Sequence, residues 1–325
     1  MQGFEYTTAS TASQAVGLAG TGSAYLAGGT TLVDLMKLNV MGPTEVIDIN
    51  TVPLTAVSTD SAGLHIGALA RMSDVAANPA VATAYPVLTQ ALLASASPQI
   101  RNMASIGGNL LQRTRCDYFR DVDVPCNKRV PGSGCPAQTG ANRGHAILGT
   151  SSSCVATHPS DLAVALVALD ASVLLQDSTG TRQVALADFY LQPGSTPEVE
   201  NQLRAGELIT GVLVPPLAWA TNSAYLKIRD RQSYEFALSS AAVAVQVGGG
   251  TISAARVAVG GVGTVPWRLP AVEAALTGQK STVDNFTAAA AKATVGAKTL
   301  ADNAFKVTLV QRAIVRALSE LLGVS

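Results

Sequence analysis

The chain has 325 residues, of which 48% are hydrophobic and 14% charged, so it can build a sizeable apolar core and does not have the composition of a disordered protein. Lys plus Arg and Asp plus Glu both number 22, and the zero balance excludes a global electrostatic pull on nucleic acid or anionic lipid. At this length two or three domains are expected, and so weakly charged a chain favours permanent protein partners.

In chain order, residues 4–60 read as alternating short strands and helices. "SAYLAGGTTLVDLMKLN" (23–39) predicts a strand, a turn at Gly28-Gly29 and an amphipathic helix, and "TEVIDIN" (44–50) predicts the next strand. Thr30 and Thr31 are placed to cap that helix, and Thr31-x-x-Asp34 fits a capping box. A strand at "LHIGALAR" (64–71) precedes helical segments and a second glycine turn, "SIGGNLL" (105–111). After a proline- and glycine-rich loop, "HPSDLAVALVALDASVLLQD" (158–177) predicts a capped helix running into a strand. Pro215-Pro216, after "LITGVLV" (208–214), marks a domain boundary. Beyond it, an antiparallel meander and helices near 270–277, 284–298 and 305–322 complete the chain. Apolar runs such as "LAVALVAL" (162–169) are far too short to span a bilayer, and the first basic residue is Lys37, so neither membrane insertion nor a secretory signal is expected. A chain made in a reducing compartment favours free or metal-bound cysteines over disulfides.

Two segments carry candidate chemistry. A strand–Gly-Gly–helix junction presents unhindered backbone N–H groups at a helix start, where an anion such as phosphate is favoured. The sequence has neither the G-x-G-x-x-G nor the G-x-x-x-x-G-K-[ST] pattern, so the Rossmann and P-loop modes are excluded. Two separated glycine turns can instead clasp one pyrophosphate from both sides. The second segment holds all four cysteines, Cys116, Cys126, Cys135 and Cys154, in the spacing C-x9-C-x8-C-x18-C. This lacks the paired knuckles of zinc sites and the short runs of ferredoxin-type clusters, so spacing points to a metal loop without naming the metal. Independent thiols or disulfides are the alternative. Residues 113–145 carry six basic side chains against three aspartates, a positive shell suited to an anionic cluster. The three histidines, His65, His145 and His158, are too scattered in sequence to suggest a cluster.

"AGGTTLVDLMKL", "ASIGGNLL" and "HPSDLAVAL", in this order and spacing, resemble the FAD-binding fold of the vanillyl-alcohol-oxidase/para-cresol-methylhydroxylase type. More narrowly they resemble the flavin-carrying medium subunits of xanthine dehydrogenase-family molybdenum hydroxylases. The resemblance implies an α+β chain: FAD-binding lobes at 1–55 and 56–218, the second holding the cysteine loop at 113–155, then a C-terminal domain at 219–325. It implies that Ala27, Gly28, Gly29, Thr30, Thr31, Leu32 and Val33 wrap the FAD pyrophosphate from one side. Ser105, Gly107, Gly108 and Asn109 would hold it from the other. Asp161 would contact the adenosine-side sugar, Ile209 would pack near the flavin and Lys227 would lie by the isoalloxazine ring. "LLQRTRCDYFRDVDVPCNKRVPGSGC" (110–135) resembles the insertion that binds a [4Fe–4S] cluster in a minority of these bacterial subunits, of the aldehyde oxidoreductase type. That implies four cysteine ligands. The implied partners are a large molybdenum-cofactor subunit, a small subunit with two [2Fe–2S] clusters and an external electron acceptor. Assembly is expected in the cytoplasm, with any periplasmic location reached by co-export with a partner. A self-sufficient flavin oxidoreductase and a zinc-stapled non-catalytic module are the rival readings.

Overall fold

The computed structural model describes residues 1–324, and three sheets organise them. The first is parallel, with Glu45–Asp48 between Glu5–Thr8 and Ser23–Leu26. Ile47 of its central strand is fully buried and shares an apolar cluster with Ala15 and Val16 of the helix Ala12–Leu18. The second sheet is antiparallel, in the order Val57–Asp60, Gly63–Gly67, Leu208–Val214, Ser172–Asp177, Gly180–Ala185. The chain leaves it after Gly67 and returns at Ser172, and the helices from Met72–Ala77 to Asp161–Ala168 and the cysteine loop lie in that excursion. The third sheet is an antiparallel meander, Ser223–Ile228, Ser239–Gly248, Thr251–Gly260 and Trp267–Arg268.

The helix Asp161–Ala168 sits where these parts meet. All eight of its residues are buried, which suits a helix apolar on every face. It packs against the helix Pro86–Ala94 on one side and the strands Ser239–Gly248 and Thr251–Gly260 on another. In the meander, Ala241, Val243 and Val245 share one core with the terminal helices, whereas Ala242 between them joins the core around Asp161–Ala168. The alternation of strand side chains thus lets one sheet serve two cores. The last helix, Phe305–Leu322, ends at Gly323 with φ +65°, the left-handed cap that glycine supplies.

Three local expectations are corrected. The second glycine segment is no open turn: residues Ile106–Leu110 form a short helix capped by the Ser105 hydroxyl. No capping box forms at Leu32–Lys37, because Thr31 makes no side-chain cap and the Asp34 carboxylate is drawn to Arg115 and Arg120 instead. The segment 284–298 is helical only over Val283–Ala290, followed by a 3-10 turn at Ala291–Thr294.

The cysteine loop is irregular apart from short turns at Asp117–Arg120 and Pro136–Gln138. Phe119, fully buried, forms a small core with Leu35 and Cys126. Its cations do not make the free positive shell expected from the count. Arg113 and Lys128 pair with Glu200, Arg115 and Arg120 with Asp34, and Arg143 with Asp230. Arg129 donates to the carbonyls of Tyr118 and Phe119. The charges stitch the loop to the body of the protein.

Candidate cofactor cleft and four-cysteine loop

Two cavities meet at the glycine segments. The first, about 250 Å³, is lined by Ala27 to Leu32, by Ser105, Gly107 and Gly108, and by Ile209, with Tyr25, Ile49 and Leu69 adding apolar walls. The second, about 380 Å³, is lined by Asn109 and Asp161 and reaches Arg115 and Arg120 from the cysteine loop and Arg231, Tyr234, Glu235 and Phe236 from the C-terminal part. Thr30, Thr31 and Gly108 border both. Of the residues implied by resemblance, Val33 and Lys227 line neither.

The glycines are there for different reasons. A Cβ on Gly28 would fall 1.9 Å from the Met103 carbonyl oxygen, so backbone packing forbids a side chain. Gly29 has φ +71°, a conformation that L residues rarely adopt. On Gly107 a Cβ would press on Ala68 at 3.0 Å. On Gly108 it would meet only the Ser105 hydroxyl, at 2.9 Å, and otherwise project into open space. Gly108 is therefore the glycine whose missing side chain keeps the cleft open. The adjoining helices have six and five residues, too short to build the full macrodipole expected from sequence, so individual N–H groups must do most of any anion binding.

At the base of the second cavity lies a buried ionic network. The Asp161 carboxylate accepts from Tyr225 Oη at 2.6 Å, Lys227 Nζ at 2.8 Å and Ser95 Oγ at 3.1 Å. Burial, followed by the Asp161 charge, raises the Tyr225 phenol well above its ordinary pKa. Lys227 also donates to the Ala94 carbonyl at 3.1 Å, and its side chain is 3% exposed. It is not a solvated strand residue. Asp161 and Lys227, to which the resemblance gave contacts at different ends of the dinucleotide, form one ion pair at 2.8 Å. The helix cap belongs to Ser160, whose Oγ accepts from Ala163 N at 2.9 Å and donates to Asn109 Oδ1 at 2.6 Å. That leaves Asp161 free for its network and holds the Asn109 amide in place.

The four cysteines, all free thiols, line one small void together with His145. Burial pushes the Cys116 thiol up to about 12 and also raises Cys135 and Cys154. His145 Nε2 lies 3.2 Å from Cys116 Sγ, and burial, with the nearby Lys306 charge, lowers its pKa. Among the described residues no group of three or more His, Cys, Asp or Glu side chains is arranged to hold a single metal ion. Sequence reasoning missed His145, although it lies between Cys135 and Cys154. It also missed Tyr225, two residues before Lys227 and so on the same face of its strand.

Residues 2–217 match the family described as FAD binding domain in molybdopterin dehydrogenase, and residues 224–321 the CO dehydrogenase flavoprotein C-terminal domain. The chain belongs to the FAD-binding subunits of the molybdenum hydroxylases. It is 48% identical over 302 residues to the aldehyde oxidoreductase FAD-binding subunit PaoB of Escherichia coli K12, covering 92% of this chain and 91% of that one. The glyceraldehyde dehydrogenase medium chain of Sulfolobus acidocaldarius is 30% identical, over 78% of this chain and 73% of its own. In structure, carbon monoxide dehydrogenase from Hydrogenophaga pseudoflava superposes with a TM-score of 0.77 at 26% identity, over 99% of this chain and 98% of that one. The chain is thus the flavoprotein subunit of an oxidoreductase of the aldehyde oxidoreductase and carbon monoxide dehydrogenase type.

Proposed function

We propose that the chain is the FAD- and [4Fe–4S]-carrying electron-transfer subunit of a molybdenum-dependent aldehyde oxidoreductase. It would receive electrons from the two [2Fe–2S] clusters of a small subunit, after oxidation of substrate on a large molybdenum-cofactor subunit, and pass them to an external acceptor. The observation that carries the reading is the pair of cavities joined across Thr30, Thr31 and Gly108, a shape suited to a dinucleotide with its pyrophosphate at the junction. Bound FAD supplies a centre that takes up electrons singly and releases them singly or in pairs. In this reading the lobes 1–55 and 56–218 hold the cofactor and the domain 219–325 closes over it. The smaller, more apolar cavity at Ile209 suits the adenosine. The larger one, bordered by Asp161 and the C-terminal loop, suits the isoalloxazine ring. This reverses the ends that the resemblance implied for Ile209 and Asp161.

For the cysteine loop the reading takes a cluster over zinc, on the resemblance of residues 110–135 to a cluster-binding insertion. A zinc ion would need four sulfurs about 2.3 Å from one point; the four cysteines share the lining of one void with His145. A cluster gives each thiolate its own iron, and its insertion would come before any export with partners. Flavin and iron quantitation with a visible spectrum of the purified chain tests the reading: about one FAD and about four iron atoms per chain are expected. Zinc in place of iron would move the loop to a structural role, and flavin bleached by an aldehyde without partner subunits would point to a self-sufficient enzyme.

A further inference from the structure

The sequence separates the glycine segments from the cysteine loop, yet the structure brings both to one cavity. Arg115 and Arg120, on either side of Cys116, reach the cavity wall beside Thr30, Thr31 and Gly108. Both guanidiniums converge on one carboxylate. Arg115 Nη1 donates to Asp34 Oδ2 at 3.0 Å, and Arg120 donates to both oxygens of Asp34 at 2.9 and 3.1 Å. Two cations on one anion leave a net positive charge at the junction of the cavities, more than a simple stitch between loop and helix requires. Arg115 Nε is buried and has no hydrogen-bond partner in the protein, so among protein side chains this guanidinium is held by its Nη1 bond to Asp34. Its plane is held by the Phe236 ring, whose centroid lies 4.9 Å from the guanidinium carbon.

We propose that Arg115 and Arg120 bind the pyrophosphate of FAD, making the cysteine loop part of the flavin site. The inference rests on the pyrophosphate lying at the glycine junction. Asp34 then holds the two arginines in position, and their remaining donors and surplus charge meet the phosphates from the side opposite the glycine N–H groups. Planar guanidinium forks suit phosphate oxygens. Any disturbance of the loop, loss of its metal included, would then weaken flavin binding.

The test uses the full chain, deflavinated and titrated with FAD. Arg115→Gln and Arg120→Gln should each raise the Kd roughly tenfold or more, the range for a lost charged hydrogen bond, with Lys at either position restoring part of the affinity. Limited proteolysis of residues 113–155 and iron content separate binding from stitching: if the arginines bind phosphate, the Gln variants lose FAD affinity while the loop stays protected and keeps its iron. If the arginines only anchor the loop, FAD is lost only together with loop protection and iron, and Asp34→Asn loses all three as the Gln variants do. Arg143→Gln, in a half-exposed pair with Asp230, is the control expected to keep FAD and iron. Wild-type affinity in the Arg115→Gln/Arg120→Gln double variant overturns the inference. Gly108→Val, run beside it, reports on the junction itself: full FAD affinity in that variant would overturn the placement of the pyrophosphate.

Discussion

Replacing Lys227 by Met probes the most deeply buried ion pair near the cofactor cleft. The Lys227 and Asp161 side chains are 3% and 6% exposed and their charged atoms lie 2.8 Å apart. Removing one partner of such a pair leaves a desolvated charge and costs about 3–5 kcal/mol. Two hydrogen bonds survive, from Tyr225 at 2.6 Å and Ser95 at 3.1 Å, which argues for the lower end, about 3 kcal/mol. The corresponding fall in melting temperature is roughly 6–12 °C, at about 2–4 °C per kcal/mol for a protein of this general size. A second substitution, Asp161→Asn, removes the stranded charge and should recover most of the loss. The bond also bears on the cofactor. Because Asp161 borders the cavity assigned to the isoalloxazine, Lys227→Met leaves an uncompensated carboxylate facing it, and the flavin midpoint potential should fall. Thermal unfolding of the single and double variants and spectroelectrochemical titration of the assembled complex read these outcomes. A single variant that melts with the wild type, and is not improved by the second change, would refute the network's energetic role. An unchanged midpoint with FAD bound would refute its electrostatic one.

Cys→Ser at position 116, 126, 135 or 154 should each lower iron content and sensitise residues 113–155 to protease, because metal ligation supplies folding free energy to a segment with little core of its own; iron unchanged in all four variants argues against the cluster. Gly28→Val should unfold or fail to express, since its Cβ meets the Met103 carbonyl, whereas Gly108→Val should fold and purify without flavin, its Cβ meeting only the Ser105 hydroxyl; circular dichroism and flavin content separate the two. Lys306, buried with Nζ donating to the Gly144 and Gly261 carbonyls, has its pKa lowered by burial to about 7. The unfolded chain then binds more protons between pH 7 and about 10, so wild-type stability relative to Lys306→Met should be flat below pH 7 and climb above it, by up to about 1.4 kcal/mol per pH unit. Denaturant unfolding at several pH values checks that slope.

The readable features were those set by local pattern. The strand before Gly28, the meander after Pro216 and the apolar helix after "HPS" all declare themselves through side-chain period and capping residues. What stayed hidden depends on groups far apart in the chain. Asp34 reads as a capping-box acid because nothing within a few residues competes for it, but two guanidiniums some 80 positions away do. Around Lys227 the sequence shows only alternation with apolar neighbours, and nothing local foretells the carboxylate that the helix Asp161–Ala168 brings to its side of the sheet. The pair of glycines in "SIGGNLL" suggests a turn, but Ser105 caps a short helix there, so the cleft is kept open by the missing side chain of a helical residue, Gly108.

The same long-range pairing changes the electrostatics of the cysteine loop. Counted along the sequence, its six cations surround the cysteines with an excess of positive charge. In the fold, Glu200 takes Arg113 and Lys128, and those cations hold its carboxyl below the ordinary range despite burial. Burial likewise works against ionisation of Asp34, and Arg120 and Arg115 overcome it. Three carboxylates from elsewhere in the chain thus engage five of the loop's six cations, the surplus at Asp34 lies by the flavin cleft, and of these cations Lys128 lines the cysteine void itself. Stabilisation of a bound anionic cluster must come mainly from groups lining the void, among which His145 stands nearest to a cysteine sulfur in a hydrogen-bonding position. What the cations do achieve is attachment: through Asp34 the loop is fixed to the helix that follows Gly28-Gly29, and through Glu200 and Arg113 to the wall of the Ile209 cavity. The loop is consequently tied to the flavin cleft, and loosening the loop should loosen the cleft with it.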